Sequence, residues 1–309
     1  MSQALRYAYL GPAGTFTEAA LLSLPEADRI EGVPCASVPA AFDAVRSGEC
    51  DAAIAAMESS IEGAVTATID ELASGEPLMI VRELLLPISF ALLVRPGTDL
   101  AAVKTVASHP VAMPQCRRWL GQQLPDTRWE AAASNAEAAR QVRDGVYDAA
   151  LAGAFTAARY DLEVLADGIH DNVGAQTRFV VVTRPGSPTE PTGLDKTSVT
   201  VGLRDNHPGE LMEILDEFAG RGVNLCRIES RPTGEAMGKY YFLIDCEGHI
   251  ADERVGEALL GLRRSGANLR FLGSYPRADR QPPMIRPGTS DTAFAEARDW
   301  LSAVRDGNR

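Results

Sequence analysis

The chain has 309 residues, of which 45% are hydrophobic and 23% charged, so two or three domains with substantial cores are expected. Its formal net charge of −12 argues against a nucleic-acid partner, because phosphate binding requires a basic surface. No apolar run is long enough to span a bilayer, and the N-terminal residues lack the pattern of a secretion signal, so we expect no membrane partner.

The cysteines and histidines indicate a reducing compartment and no metal centre. Five cysteines are scattered along the chain without a CxxC pair, which favours free thiols and a cytoplasmic protein. The four histidines are never spaced like zinc ligands, so we predict no metal site.

Short apolar runs alternate with helical patterns over residues 1–184. Strands are predicted at Leu5–Leu10, Asp51–Met57, Leu78–Leu86, Ile88–Val94, Thr105–Ala107, Ala149–Leu151 and Thr177–Thr183. Helices are predicted at Thr15–Leu24, Ala40–Arg46, Val65–Ala73, Arg117–Leu124, Ala136–Val142 and Phe155–Tyr160. This alternation is typical of an α/β fold with mainly parallel sheets, in which ligands lie beyond the carboxyl ends of strands. The residues at those ends are Gly11, Glu58, Ser108 and Gly153.

The stretch "YLGPAGTFTE" (residues 9–18) predicts a strand, a glycine turn and a helix that begins with Thr15 or Thr17 as its N-cap. The unpaired N–H groups and the dipole of such a helix start suit an anion. Neither phosphate-binding pattern, GxxxxGK[ST] or GxGxxG, fits this stretch, so the kind of anion stays open at this point. A capped helix without any ligand is the alternative.

The proline- and glycine-rich stretch "RPGSPTEPTGLDK" predicts a linker, assigned to residues 185–196. Residues 197–276 then show strand and helix patterns in the order βαββαβ, which is the ferredoxin-like arrangement. Residues 277–309 are predicted to form an irregular tail that ends in a helix capped by Ser290 or Asp291. We expect that helix to pack against the body, with a mobile extension as the alternative.

Four segments of the first region place polar groups at strand ends or helix starts: "GPAGTFTEAA", "MESSIEGAV", "SHPVAMPQCRRWL" and "TRFVVV". Each has an ordinary structural interpretation when it is taken singly. Glu58 and Glu62 fit solvated loop acids, "SHP" fits a helix cap, and Thr177 and Arg178 fit a strand edge. Cys116 beside two arginines suggests an activated thiol, but no partner base is evident, and a packed cysteine is the simpler interpretation.

Together and in this order, the four segments resemble the prephenate dehydratase family. The matching stretches are Gly11–Ala19 (GPxGTFT), Glu58–Gly63 (an ENSxxG-type loop), Ser108–Leu120 (SHPxxxxQCxxWL) and Thr177–Phe179 (TRF). Two departures affect polar contacts, because Ser59 replaces the usual asparagine of the loop and Gly174 stands where another asparagine is common. No helical segment of the kind that a fused chorismate mutase requires precedes the first motif, so we expect a monofunctional chain.

The resemblance implies a two-lobed catalytic domain of the type II periplasmic-binding-protein fold at residues 1–184. One lobe is expected at about 1–80 with 160–184 and the other at 81–159, with the site between them.

The second region, 197–276, resembles the regulatory ACT module of the same family. It carries "GELM" at residues 209–212 as its GALV-like segment, "ESRP" at 229–232 and a closing "GSYP" at 273–276. The resemblance implies that L-phenylalanine binds as an allosteric effector between two such modules in a homodimer or homotetramer. The residues implied are Gly209, Glu210, Leu211, Met212, Asn224, Leu225, Glu229, Ser230 and Arg231. A sheet that only forms a dimer is the alternative.

The family's reaction converts prephenate, a dicarboxylate, to phenylpyruvate with loss of CO2 and water, and it needs no cofactor. The resemblance makes Thr177 a hydrogen-bond donor to the leaving oxygen, and we hypothesise that a desolvated Glu58 with a raised pKa supplies the proton. Arg178 is the candidate carboxylate clamp, with packing as its alternative role. Further substrate contacts are expected from Thr15, Thr17, Ser59, Ser60, Ser108, Gln115 and Phe179, although packing is the main role expected of Phe179. Arogenate dehydratase and a non-catalytic amino-acid or carboxylate sensor are the rival functions.

Overall fold

The structure is a computed structural model that describes residues 4–203, 207–234 and 236–307. The chain forms two compact units. The first comprises the chain up to Thr68 together with Leu84–Val182, and the second comprises Ile69–Glu83 together with the chain from Thr183 onward.

Strands and helices alternate through most of the described chain. The strands are β1 Leu5–Leu10, β2 Ile30–Cys35, β3 Ala52–Ser59, β4 Gly63–Ala64, β5 Met79–Pro87, β6 Ala91–Val94, β7 Thr105–Ser108, β8 Arg128–Ala131, β9 Ala149–Ala152, β10 Glu163–Ala166, β11 Gln176–Thr183, β12 Asp195–Gly202, β13 Leu225–Pro232, β14 Tyr240–Glu247 and β15 Asn268–Pro276. The helices are α1 Phe16–Leu22, α2 Val38–Arg46, α3 Thr66–Ala73, α4 Ala112–Gln115, α5 Arg117–Gln123, α6 Asn135–Arg143, α7 Thr156–Arg159, α8 Glu210–Ala219, α9 Glu253–Arg264 and α10 Asp291–Arg305.

Two mixed sheets organise the first unit, which confirms the α/β class but corrects the prediction of mainly parallel sheets. One sheet has the strand order β2-β1-β3-β11-β5, with β4 paired to β3, and the other has the order β10-β6-β9-β7-β8. Strand β1 is parallel to β2 and β3, and β7 is parallel to β8 and β9, whereas β6 is antiparallel to β9 and β10. Strand β6 follows β5 after only residues 88–90 and lies in the second sheet.

The two faces of the second sheet are packed by different kinds of side chain. One face carries small residues, because helix α6 approaches the strands closely through its alanines. The buried alanines include Ala91, Ala107, Ala150 and Ala152 on the strands and Ala136 and Ala139 on the helix. The opposite face carries larger residues, among them Leu92, Val94, Val106 and Leu151. This alternation along each strand follows from the pleat and confirms that both faces are covered.

The second unit contains an antiparallel sheet of order β13-β14-β12-β15, with helices α8 and α9 in the predicted βαββαβ sequence of elements. Val199, Val201, Phe242 and Ile244 form a core with both helices on one face. Strand β12 begins at Asp195, inside the stretch predicted as a linker, because the Asp195 carboxylate accepts hydrogen bonds from the preceding turn and orders it.

The C-terminal tail packs on the second unit. Ser290 rather than Asp291 caps α10, because the Ser290 hydroxyl accepts a hydrogen bond from the Ala293 N–H at 3.2 Å. The Asp291 carboxylate instead accepts from the N–H of Glu253, the first residue of α9, at 2.9 Å. Arg298 forms a two-pronged ion pair with the Glu253 side chain. The prediction that this helix packs against the body is therefore confirmed.

Candidate active site

A cavity of about 860 Å³ in the first unit lies beyond the carboxyl ends of β1, β2, β8 and β9. Its lining includes residues 10–17, 34–36, His109, 131–137, Gln141 and Gly153. Thr15 and Thr17 line it, as do Gly11 and Gly153, so these four residues lie where the sequence predicted a ligand.

The glycine turn that opens this cavity is held in place by hydroxyl groups from the region of α7. The Thr156 hydroxyl donates to the Gly14 carbonyl at 2.8 Å, and the Tyr160 hydroxyl donates to the Ala13 carbonyl at 2.6 Å. Gly14 has a φ of +90°, and a Cβ there would lie only 3.0 Å from the Tyr160 ring. Only glycine satisfies both the left-handed conformation and the close approach.

The start of helix α1 already has a negative partner within the chain. Thr15 is the N-cap, and its hydroxyl accepts from the Glu18 N–H at 3.3 Å. The Glu18 carboxylate reaches back to the Gly14 N–H at 2.5 Å and also accepts from the Tyr9 hydroxyl and the Arg159 guanidinium. The Glu18 carboxylate therefore occupies part of the position predicted for an anion at this helix start. The spacing T-x-x-E at residues 15–18 is that of a capping box and is consistent with this arrangement.

His109, rather than the predicted Ser108, faces the cavity from the second sheet. Ser108 is completely buried, and its hydroxyl accepts from the Trp129 indole N–H at 2.8 Å. His109 lines the cavity, and its N–H donates to the Asn135 side chain at 2.8 Å. Ser134 caps α6 at the same wall, so "ASN" at residues 133–135 is a second segment that the sequence analysis missed.

Glu58 and Arg178 meet across strands β3 and β11. The Arg178 side chain is only 3% exposed, and its Nη1 lies 3.4 Å from Glu58 Oε1. Glu58 is 36% exposed, so the desolvation that our proton-donor hypothesis invoked is not present in this arrangement. The burial of Arg178 favours its alternative packing role over that of a clamp open to substrate.

Thr177 is half-buried at the start of β11, directly before Arg178 in the chain. Phe179 is 1% exposed and packs in the core, although the sequence analysis also placed it among the substrate contacts. Thr177, Glu58 and Arg178 do not line the 860 Å³ cavity. They lie beside it, because β3 is the neighbour of both β1 and β11.

The loop after Glu58 joins these two groups of residues. The Ser59 hydroxyl accepts from the N–H groups of Ile61 and Glu62, and the Ser60 hydroxyl accepts from the Gln176 N–H at 3.0 Å, directly before Thr177. The predicted Gln115, which follows β7, donates to the Glu62 carboxylate at 3.3 Å. The loop therefore connects the first sheet to the second.

The ionisable groups here include two thiols, of which Cys116 is buried and Cys35 is partly buried. Burial, and secondarily the nearby Asp171 charge, raises the pKa of Cys116 to about 12. Burial likewise raises the pKa of Cys35, which lines the cavity. A packed Cys116 is therefore the interpretation that the structure supports, not an activated thiol.

Two other features are absent from the residues that the structure describes. No three or more His, Cys, Asp or Glu side chains are grouped so that they would hold a metal ion. None of the described helices combines the length and apolarity needed to cross a membrane.

The residues predicted to bind an effector are spread over the second unit. Gly209 caps α8 with a left-handed φ of +97°, Glu210 is buried, and Leu211 and Met212 are exposed. Glu210 lines a cavity of about 220 Å³, whereas Asn224 and Leu225 line another of about 330 Å³ with Met284 and Arg286 of the tail. Glu229, Ser230 and Arg231 lie on β13, and the Arg231 guanidinium is paired with the Asp70 carboxylate.

Comparisons with known proteins identify the family. The family model for prephenate dehydratase matches residues 7–187. The prephenate dehydratase of Mycobacterium tuberculosis (strain ATCC 25618 / H37Rv) is 46% identical over 314 residues, which cover 98% of this chain and 95% of the relative.

Two solved structures resemble the whole chain. Prephenate dehydratase from Arthrobacter aurescens, in complex with L-Phe, has a TM-score of 0.93 and 49% identity, with 98% of this chain and 100% of that chain covered. GqqA, a quorum-quenching acylase, has a TM-score of 0.80 and 28% identity, with 89% and 100% covered. On the match of the family model and the 46% identity over nearly its full length, this chain belongs to the prephenate dehydratase family.

Proposed function

We propose that this protein is a prephenate dehydratase, which converts prephenate to phenylpyruvate with loss of CO2 and water. The observation that carries this function is the family match over residues 7–187 together with 46% identity to a curated dehydratase over 98% of the chain. Identity to the acylase is lower, at 28%. Aromatisation drives the reaction, so the protein has to bind a dianion, orient it and assist the departure of hydroxide as water.

The substrate site that we propose is the cleft between the two sheets of the first unit, which act as the two lobes of a type II periplasmic-binding fold. The 860 Å³ cavity supplies one wall, with Thr15, Thr17 and His109 as polar groups. Closure of the two lobes over the substrate would exclude water and strengthen each polar contact. The contact between Gln115 and Glu62 joins the lobes at this cleft.

The catalytic groups that we propose are Thr177 and Glu58, with Arg178 as a positioning residue. The Thr177 hydroxyl donates a hydrogen bond to the leaving oxygen, and Glu58, once closure of the lobes has desolvated its carboxyl, supplies the proton that releases it as water. Arg178 lies 3.4 Å from Glu58 and is almost completely buried, so its role is to hold the Glu58 carboxylate in position. Ser59 and Ser60 fix the loop that carries Glu58.

The second unit, in our proposal, is an ACT domain that binds L-phenylalanine and regulates the enzyme. Its βαββαβ order supports this assignment, as does the L-Phe bound to the Arthrobacter relative. Gly209–Met212 and Asn224–Leu225 would form the effector site between two copies of the unit in a homodimer or homotetramer. Feedback requires that L-phenylalanine bind one arrangement of the enzyme better than another.

One assay tests the function. Purified protein is incubated with prephenate, and phenylpyruvate is followed by its enolate absorbance in alkali, with and without L-phenylalanine. We expect turnover that L-phenylalanine changes. Turnover of arogenate but not prephenate would establish the first rival, and prephenate binding without product would establish a sensor. Hydrolysis of an acyl amide without prephenate turnover would place the protein with the acylase instead.

A further inference from the structure

Helix α3 lies on the face of the regulatory sheet that α8 and α9 leave open. Val199, Val201, Phe242 and Ile244 point toward those two helices, so the alternate residues of the same strands point to the other face. Residues 69–83 belong to the same unit as this sheet, and within them Ile69 and Leu72 are completely buried. The close approach of the segment is visible at Gly273, where a Cβ would lie 2.1 Å from the Ile80 carbonyl oxygen.

A bidentate ion pair fixes the middle of the helix to the sheet. Arg231 donates from Nε to Asp70 Oδ1 at 3.0 Å and from Nη2 to Asp70 Oδ2 at 2.7 Å, and the Tyr241 hydroxyl donates to Oδ1 at 2.8 Å. Burial raises the pKa of the Asp70 carboxyl, but the hydrogen bonds from Arg231 and Tyr241 outweigh this and hold the pKa below its usual range. Arg231 and Tyr241 are paired neighbours on β13 and β14, so the grip comes from two adjacent strands.

A second arginine holds the C-terminal end of the same helix. Arg270 on β15 donates from Nη1 to the carbonyls of Leu72 and Ser74 and from Nη2 to the carbonyl of Gly75, at 3.0–3.2 Å. These carbonyls have no partner within the helix, and a guanidinium there also complements the helix dipole.

The N-terminal end of α3 is fixed in the first unit, near the proposed catalytic acid. The buried Thr68 hydroxyl donates to the Ala56 carbonyl at 2.6 Å, and the Val65 N–H donates to the Met57 carbonyl at 3.0 Å. Glu58 pairs with Ala64 in the short β3–β4 hairpin. Helix α3 therefore contains the boundary between the two units along the chain: its first residues are bonded beside the hairpin of Glu58, and its later residues are bonded to the regulatory sheet.

We propose that Asp70, Arg231 and Tyr241 are positioning residues that couple the regulatory sheet to Glu58 through helix α3. A shift of β13 and β14 on effector binding pulls on Asp70 and moves the helix, and the helix carries the hairpin of Glu58 with it. In this role the arginine of "ESRP" does not bind the effector, because its guanidinium is committed to Asp70. The proposal rests on the proposed function, since it assigns the route by which feedback reaches the reaction.

The decisive variants are Asp70→Asn and Tyr241→Phe, which preserve side-chain size and lie outside the proposed substrate and effector sites. We expect prephenate turnover without L-phenylalanine and calorimetric L-phenylalanine affinity to stay within about threefold of the parent protein, because Arg270 and the buried apolar residues still hold the helix. The factor by which saturating L-phenylalanine changes kcat/KM should shrink by about two- to thirtyfold, the range over which mutations modulate coupling.

Arg231→Met separates the coupling role from a ligand role, and Arg298→Met is its matched control because Arg298 also forms a two-pronged ion pair in this unit. We expect Arg231→Met to keep L-phenylalanine affinity and lose feedback, and Arg298→Met to keep both. Loss of L-phenylalanine binding in Arg231→Met, with intact feedback in Asp70→Asn, would overturn the proposal. Equal loss of basal activity and thermal stability with unchanged feedback in Asp70→Asn would reduce the cluster to a structural role and also overturn it.

The failure of the proposed function would look different. In that event the parent protein itself would neither turn over prephenate nor bind L-phenylalanine, whatever the variants do. If Arg231→Met does not fold, the feedback of Asp70→Asn and Tyr241→Phe still decides the proposal.

Discussion

At the scale of single residues, Thr177 carries the first prediction. Thr177→Val keeps the shape of the side chain but removes the hydroxyl, so kcat for prephenate should fall by roughly 10²–10⁴-fold, the usual worth of a positioned proton-transfer group. Thr177→Ser should retain most of the rate. Thr183→Val, at the far end of the same strand, is the control and should leave kcat unchanged. A kcat for Thr177→Val within threefold of the parent value would contradict the role.

A second prediction for a single residue concerns the proton that we assign to Glu58. Glu58→Gln keeps a hydrogen-bonding group beside the buried Arg178 but cannot supply a proton, so kcat should fall by at least about 10²-fold with little change in KM. Glu130→Gln, on edge strand β8, is the control. Near-normal kcat in Glu58→Gln, alongside loss of activity in Thr177→Val, would assign the proton to another donor.

The residues at the strand ends were largely predictable, but the side chains that reach the cavity were not. Thr15 was one of two predicted caps, and Gly11 and Gly153 were expected at strand ends, because turns and caps leave local signals. The choice of His109 over Ser108 depends on which residue of the pleat faces the cavity where β7 ends, and it is fixed by Trp129 on the neighbouring strand β8, 21 residues away in the sequence. Such a contact leaves no trace in the local pattern.

At the scale of elements, the turn between β1 and α1 requires glycine at position 14 for two reasons: its backbone is left-handed, and the Tyr160 ring lies close to it. A Gly14→Ala protein must adopt a left-handed conformation and also push its methyl group against Tyr160 and Thr156, so urea unfolding should show a loss of about 2–4 kcal/mol. Gly97 has a similar φ of +75° with open space around it, and Gly97→Ala should lose only about 1 kcal/mol. Equal losses would mean that the close approach contributes nothing.

Asp148 links β9 to the start of β7 and gives a pH dependence. Burial raises the pKa of its carboxyl, but hydrogen bonds from the Lys104 and Thr105 N–H groups and the Thr105 hydroxyl outweigh this and lower the pKa. A lowered folded-state pKa stabilises the protein fully above the unfolded pKa of about 4 and loses that stabilisation as the pH falls through the folded value.

The test for Asp148 is the free energy of unfolding measured from pH 7 down to pH 2. Asp148→Asn should be less stable at pH 7, and its stability should decline less steeply below about pH 4. The exposed Asp299→Asn is the control and should follow the parent curve. A parallel decline in Asp148→Asn and the parent would remove this carboxyl as a source of acid sensitivity.

Three strands at sheet edges were missed, whereas most interior strands and the edge strand β5 were predicted closely. Strand β1 matches its predicted bounds, and β3, β7, β9 and β11 differ by only one or two residues at an end, because their apolar runs are buried on both faces. Strands β2, β8 and β10 were missed. Strands β8 and β10 have only four residues each, and β2 contains glycine and proline, features by which sheets protect exposed edges. The signals that keep such strands from aggregating also hide them from pattern analysis.

At the scale of the whole molecule, the second unit includes residues 69–83, far from the rest of it in sequence. Ile69, Leu72 and Ile80 are completely buried there. A protein that ends at residue 184, the boundary that the proline-rich stretch indicates, would expose these side chains. It should bind a hydrophobic dye and aggregate at concentrations where the full chain stays in solution. A monodisperse truncated protein with native-like unfolding would contradict this.

The path of the chain between its two units limits how relatives can exchange parts. Residues 69–83 leave the first unit and return to it, so the polypeptide passes from one unit to the other at three places instead of one. A chimera made by cutting only after residue 183 would join a foreign sheet to a resident helix α3, with mismatched partners for Asp70 and the α3 carbonyls. A functional hybrid would need the donor's residues 69–83 as well. The second unit can therefore be exchanged between relatives only as two separate segments of the chain.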